Sequence, residues 1–391
     1  MTPLGIRHYT LTTALGAGRA SQLDALRNGS TGLRAEPFES ATLPGWIGVV
    51  AGLDTPLPTE YSAWDCRNNR LAEKGLAQDG FTEAVAAARS RYGGARIGVF
   101  IGTSTSGVLQ TEQAYRARSG TPEQLPPWFQ HAHTQNAYSV CDYVQRRLGL
   151  TGISNAVSTA CSSSAKVFAS AQRAIAAGFC DAAVVGGVDS LCLTTLYGFN
   201  ALQLLAADIC RPADANRQGL SIGEAAGFAL LEPAAEHALR LEGYGESNDA
   251  HHMSAPDPEG RGALAAMRQA LAGADTQPAD VDYINLHGTA TPANDLAEDH
   301  AVFALFGAAV PCSSTKGWTG HTLGAAGIVE AGLALTALEA GLIPQSLNTR
   351  HIDPAFRSQI VHSAQQRPIK RVLSNSFGFG GSNCSLLFSR P

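Results

Sequence analysis

The sequence predicts an α/β protein built from a repeated unit, and three observations carry that reading. Short apolar runs such as Arg96 to Gly102 and Ala182 to Gly186 alternate with helical stretches, the order expected of mostly parallel sheets covered on both faces. The turn and Ala/Gly-rich helix at 160–178 are mirrored at 320–341, which points to a duplicated α/β unit. No linker rich in Pro, Ser or charge interrupts the chain, so an N-terminal half (1–235) and a C-terminal half (236–391) are expected to form one body with the site between them.

Taken in order, residues 1–94 are mixed, with a helix expected over Phe81 to Tyr92. Arg96 to Gly102 reads as a buried strand, Gln135 to Leu148 as a helix closed by Gly149, and Asn155 to Thr159 as a short strand. Ser162 to Ala177 follows as a helix, with Phe168, Ala171 and Ile175 on one stripe and Gly178 as its stop. Ala182 to Gly186 and Ala226 to Leu231 are apolar strands. In the second half, helices are expected at Gly262 to Gly273, Leu296 to Phe306 and Thr322 to Ala340, and strands at Val281 to Leu286, Val372 to Asn375 and Cys384 to Phe388. Small-residue helices allow close approach, so they are expected to be central and sandwiched.

Composition narrows the function. The chain has 391 residues, 45% hydrophobic and 16% charged, enough for a large core without staples. A net charge of -5 argues against a nucleic-acid partner. No run approaches the ~20 apolar residues of a membrane span, and Met1 to Arg34 lacks the pattern of a signal peptide, so a cytoplasmic protein is expected. The eight cysteines form no CxxC pair and are expected to be reduced.

One cysteine stands apart. Cys161 lies between a strand and a helix, where the helix dipole and free N–H groups would favour a thiolate and an adjacent oxyanion. His287 and His321 are each flanked by glycine at equivalent points of the repeat, which singles them out as imidazole partners. Lys316, one of four lysines, precedes His321 by five residues, and Glu298 is read as its ion-pair partner. Phe377-Gly378-Phe379-Gly380-Gly381 is a Gly-rich turn between strands, either a core anchor or a mobile gate. A Cys/His/His zinc site would need paired ligands at short spacing, and none is present; no metal is expected. Gly219-Leu220-Ser221-Ile222-Gly223 matches a hydrolase elbow, but polar loop precedes it and a strand follows, so Ser221 is not read as a nucleophile.

These residues stand in STACSSS (158–164), GGVDS (186–190), RPADANRQGLSIGEAAG (211–227), HGTATPANDLAE (287–298), STKGWTGHTLGAAG (314–327) and NSFGFGGSN (375–383). Together the segments resemble the elongating β-ketoacyl-[acyl carrier protein] synthases, condensing enzymes of the thiolase-like superfamily. The resemblance implies two mirrored halves in a five-layered α-β-α-β-α body. It implies Cys161 as the acyl-accepting nucleophile, a triad with His287 and His321, and a supporting Lys316–Glu298 pair. It also implies an oxyanion hole from the N–H groups of Cys161 and Phe379, with Thr289 and Thr291 on the phosphopantetheine arm. The arm comes from an acyl carrier protein, so no cofactor is expected on the enzyme itself. The subunit is expected to pair with itself or with a chain-length-factor paralogue. Ala213 and Asn294 depart from the commonest family pattern, and STACSSSAK is closer to polyketide-type synthases.

Three other classes of protein fit these residues less well. A thiolase would carry a second cysteine in a C-x-G context, whereas Cys384 precedes Ser385 and Leu386. An initiating synthase would use Cys-His-Asn, whereas the second Gly-flanked partner here is His321. An inert chain-length subunit would lack the nucleophile, and Cys161 is present.

Overall fold

The structure is a computed structural model that describes residues 1–120, 124–234 and 237–390. The first half runs β1 (Leu4–Thr13), α1 (Arg67–Leu76), α2 (Phe81–Tyr92), β2 (Ile97–Gly102), α3 (Ser139–Arg147), β3 (Ser154–Val157), α4 (Ser163–Ala176), β4 (Ala182–Asp189) and β5 (Ala225–Pro233). The second half runs β6 (Arg240–Asn248), α5 (Arg261–Gly273), β7 (Tyr283–Asn285), α6 (Pro292–Phe306), β8 (Pro311–Ser313), α7 (Ala326–Ala340), β9 (Arg371–Gly378) and β10 (Ser382–Ser389). The boundary expected between 235 and 236 lies outside the described residues.

With the short strands Gly16–Ala17 and Gln359–Ile360 added at β1 and β8, these strands form a 12-stranded sheet whose two arms mirror each other. One arm runs β3-β2-β4-β5-β1 and the other β8-β7-β9-β10-β6, joined where Leu4 and Gly5 pair with Leu241 and Arg240. The sheet is therefore mixed, not mostly parallel as the sequence suggested. β3, β2 and β4 are parallel, as are β8, β7 and β9, but every pairing from β4 through β1 and β6 to β9 is antiparallel. The last strand of each half returns beside its predecessor instead of crossing over through a helix. A nearly continuous apolar strand shows only that both faces are covered, not which way its neighbour runs.

Helices α4 and α7 each touch strands of both arms and each other, so they form the middle of five layers. The outer layers are α1, α2 and α3 on one arm and α5 and α6 on the other. A Cβ on Gly327 would stand 2.3 Å from the backbone nitrogen of Ala165, so the two central helices meet backbone to backbone. This is why small residues crowd both. Every residue of α7 from Ala326 to Leu338 is buried. The span Leu323–Ala340 is long and apolar enough to cross a membrane, but 89% of it is buried inside the fold. Its hydrophobicity is that of a core helix with protein on all sides.

The expected helix from Gln135 starts at Ser139 instead, because the Asn136 side chain accepts the Tyr138 N–H at 2.9 Å and diverts the backbone into turns. Strands β1 and β6 had no sequence-based expectation. In β6, glycines replace the apolar side chains that would have marked it: a Cβ on Gly245 would lie 1.9 Å from the Ala266 carbonyl of α5. All eight cysteines are free and buried.

Candidate active site

The two central helices bring the candidate residues to one place. Cys161 follows β3 across a turn in which Ala160 adopts φ 51, an unfavourable left-handed conformation, and Ser163 begins α4. The turn is tied by the Ser163 hydroxyl, which accepts the Thr159 N–H at 2.9 Å and donates to the Ala160 carbonyl at 2.6 Å. His287 leaves the end of β7, and His321 sits just before α7. His321 Nε2 lies 3.0 Å from Cys161 Sγ. The two imidazole rings meet edge to face, 5.4 Å between centroids. The thiol and one nitrogen of each ring lie within 4.8 Å of one another, all buried.

Electrostatics separates the resting state from what the helix start alone suggested. Burial pushes the Cys161 thiol up to about 11, against the opposing pull of Lys316 and of the Phe379 N–H. The resting residue is thus a thiol, not the thiolate that the dipole argument favoured. Desolvation outweighs the partial charge of one helix terminus. Burial, followed by the nearby Lys316 charge, holds both histidines well below their ordinary value, so both are neutral at pH 7.

Lys316 lies behind His287. Its Nζ is 3.3 Å from His287 Nδ1 and donates to the His287 carbonyl at 2.5 Å. An ammonium can only donate, so Nδ1 is the acceptor and the ring hydrogen sits on Nε2, facing the pocket. The same ammonium disfavours a metal ion among the three ligand atoms by like charge.

The ion pair expected with Glu298 is a correction. Lys316 pairs with Glu330, a residue the sequence reading passed over, and the Ser376 hydroxyl donates to the other Glu330 oxygen at 2.9 Å. Glu298 instead faces backbone: it accepts the N–H of His287 and of Gly288, each at 2.8 Å, and the Asn375 amide at 3.1 Å. Burial raises Glu298 to about 7 despite those donors. It holds the His287 loop rather than a charge. A signal for Glu330 was available, since it is an acid in the middle of a helix that is apolar on every face.

Cys161, both histidines, Thr289, Thr291, Phe377 and Phe379 line one cavity of about 360 Å³. The Thr289 and Thr291 hydroxyls hydrogen-bond to each other at 2.9 Å. Asp295 steadies their loop by accepting the Ala290 N–H at 3.0 Å. Phe199, Leu202, Leu204 and Leu220 give the same cavity an apolar wall. Phe377 packs 5.9 Å from the His287 ring, and Phe379 stacks at 5.5 Å on Phe199, a wall residue the sequence did not suggest. Gly378 lies so close to the nucleophile turn that a Cβ would come 3.1 Å from the Cys161 nitrogen.

The hydrolase-like pentapeptide does structural work. Ser221 is buried and lies in no strand–turn–helix elbow; its carbonyl accepts the His321 N–H at 2.7 Å.

A buried thiol, two neutral imidazoles and backbone amides lining an apolar cavity are the equipment of a condensing acyltransferase. The chain belongs to the β-ketoacyl synthase family. Residues 69–237 match the family's N-terminal domain and 239–350 its C-terminal domain. The chain is 39% identical over 314 residues to a 3-oxoacyl-[acyl-carrier-protein] synthase 2 of Rhizobium meliloti, covering 75% of this chain and 74% of that protein. It is 33% identical over 378 residues to the same-named enzyme of Staphylococcus aureus, covering 88% and 91%. A solved ketosynthase in complex with its chain length factor from Xenorhabdus doucetiae superposes with a TM-score of 0.92 at 37% identity, over 100% of this chain and 98% of that one. The chain is accordingly a thiolase-like condensing enzyme, a β-ketoacyl synthase of fatty-acid or polyketide chain elongation.

Proposed function

We propose that Cys161 carries the growing acyl chain and that His287 and His321 drive decarboxylation of a malonyl unit delivered by an acyl carrier protein. The observation that carries this reading is the convergence of Cys161 Sγ and the two imidazoles within 4.8 Å at the cavity wall. In the first half-reaction the thiol gives its proton to His321 Nε2 as sulfur attacks the acyl thioester. The N–H groups of Cys161 and Phe379 receive the oxyanion, and the carrier's thiol departs with the proton. In the second, the acylated sulfur no longer donates to His321, whose ring hydrogen moves from Nδ1 to Nε2; a malonyl thioester then loses CO2, and Nε2–H of each histidine stabilises the enolate oxygen. The resulting carbanion attacks the acyl-cysteine carbonyl, and Cys161 leaves as a thiolate that takes up one proton from solvent to restore the resting thiol. Thr289 and Thr291 face the phosphopantetheine arm, which belongs to the carrier, so the enzyme itself needs no cofactor.

The turn Phe377 to Gly381 acts as a gate. Gly380 has φ 78 and open space where a Cβ would stand, so its constraint is conformational rather than steric. Gly380→Val is expected to stiffen the turn and slow the second half-reaction more than the first. Pre-steady-state measurement of acyl-Cys161 formation and of product release decides this, and equal slowing of both leaves the phenylalanines as packing anchors.

Pairing with a homologous subunit is supported by β3, which ends the sheet order with a single neighbour, next to exposed Tyr138 and Ile153. The chain-length-factor complex of the Xenorhabdus relative favours a heterodimer as the second reading. We place the enzyme in the cytoplasm with its carrier.

The test is Cys161→Gln, whose amide imitates the acyl thioester. It should block elongation and keep or raise release of CO2 from malonyl-carrier. The parent enzyme, incubated with acyl-carriers, should show the acyl mass on Cys161. A folded Cys161→Gln variant without CO2 release, or an acyl adduct on another residue, overturns the proposal.

A further inference from the structure

The imidazole of His321 faces Cys161 through Nε2, yet its Nδ1 is buried without a hydrogen-bond partner among the described residues. A catalytic base is ordinarily oriented by a group on its other nitrogen. Here the ring's placement must come from the backbone that carries it. On one side that backbone is pinned to the strand Ile222–Gly223: His321 N–H donates to the Ser221 carbonyl at 2.7 Å, and the Gly223 N–H donates to the His321 carbonyl at 3.0 Å. On the other side it turns sharply, with Leu323 at φ 53, a left-handed strain that persists only where surroundings enforce it.

What enforces it is Asp189, at the end of β4, fully buried and absent from the mechanism above. Its carboxylate accepts the Gly324 N–H at 2.6 Å, just past the strained residue. The same carboxylate accepts the hydroxyls of Thr103 at 2.7 Å, Ser104 at 2.5 Å and Thr105 at 2.9 Å. It also accepts the backbone N–H groups of Ser104 and Thr105, at 2.8 and 3.0 Å. That second segment leads into Ser106, itself at φ 45. One carboxylate therefore clamps two strained turns together, and all of these donors are neutral. Removing its acceptor oxygens leaves several buried donors unpaired and frees the turn after His321.

We propose that Asp189 is a positioning residue for His321, supplying through the Gly324 backbone the orientation that the unpartnered Nδ1 does not. This rests on His321 being the base for Cys161. Asp189→Asn keeps the size but turns an amide N–H toward a site of donors. It is expected to lower the rate of acyl transfer to Cys161 by about 100-fold, the scale for displacing a catalytic group by an ångström, with KM for the acyl-carrier unchanged. Ser104→Ala, which leaves the carboxylate and one fewer donor, is the variant expected to fold throughout and to show a smaller loss of the same kind. The discriminating measurement is a double-mutant cycle with His321→Ala. Asp189→Asn added to His321→Ala should cost nothing further, because the group being positioned is gone. The proposal is overturned if the two losses multiply, if KM rises with kcat intact, or if a folded Asp189→Asn variant acylates at the parent rate. A parent rate in His321→Ala alone refutes the base assignment itself.

Discussion

Replacing Cys161 with Ala is expected to abolish condensation while the chain folds and melts almost as the parent does. The side chain is 6% exposed, and the exchange removes one sulfur at a helix start without changing the φ 51 turn at Ala160. The loss in stability should be about 1 kcal/mol, the worth of roughly one buried methylene. The loss in rate should be on the order of 10⁴-fold or more, as when a nucleophile is removed from a cooperating set. The raised thiol gives the parent a second signature. Thiolate is scarce below a value of about 11, so alkylation of the resting enzyme should keep accelerating through pH 9 instead of levelling there. Elongation near the parent rate in the purified variant would show that Cys161 is not the nucleophile. An alkylation plateau below pH 9 would show that burial does not govern the thiol.

Breaking the Lys316–Glu330 pair should be the most destabilising change. The side chains are 3% and 2% exposed, so removing either one strands a charge in the interior. The cost expected for breaking a buried pair is about 3–5 kcal/mol. Lys316→Ala also removes the donor that keeps the His287 hydrogen on Nε2, so acyl transfer and decarboxylation should both fall in kcat rather than in KM. Glu330→Ala should be as unstable as Lys316→Ala. The uncharged double variant K316M/E330L should regain stability without regaining activity, because an apolar pair satisfies the core but donates nothing to His287. Thermal melts and CO2 release on the three variants check this. Single variants as stable as the parent, or an active double variant, would contradict it.

Much of the site was legible because its signals are local. Cys161 stands at a strand-to-helix turn, His287 and His321 each stand beside glycine, and the duplication showed as two Ala/Gly-rich helices. The meeting of Cys161 and His321 follows from that repeat, since each stands before one of the two paired central helices; His287 instead comes from the end of β7, in the same half as His321. Strands β2, β4, β5, β9 and β10 were recognised within a few residues because they are buried apolar runs.

What sequence could not assign were outcomes decided by competition in three dimensions. Lys316 had carboxylates at two separations along the chain, Glu298 eighteen positions before it and Glu330 fourteen after it, and separation in sequence does not say which of them the fold brings to the ammonium. The packing of α7 beneath both histidines brings Glu330 to the ammonium, while the start of α6 aims Glu298 at the backbone of His287 and Gly288. The thiol's state depended on whether a helix terminus or burial wins, and only the enclosed geometry shows how completely Cys161 is desolvated. Asp189 could be read as part of a motif, but its task appears only where the turn at 103–105 and Gly324 converge on it. Local backbone preference and apolar pattern are properties of neighbouring residues and are written along the chain. Charge pairing, desolvation and the sense of neighbouring strands depend on which distant segments share a small volume, and the folded packing alone settles them.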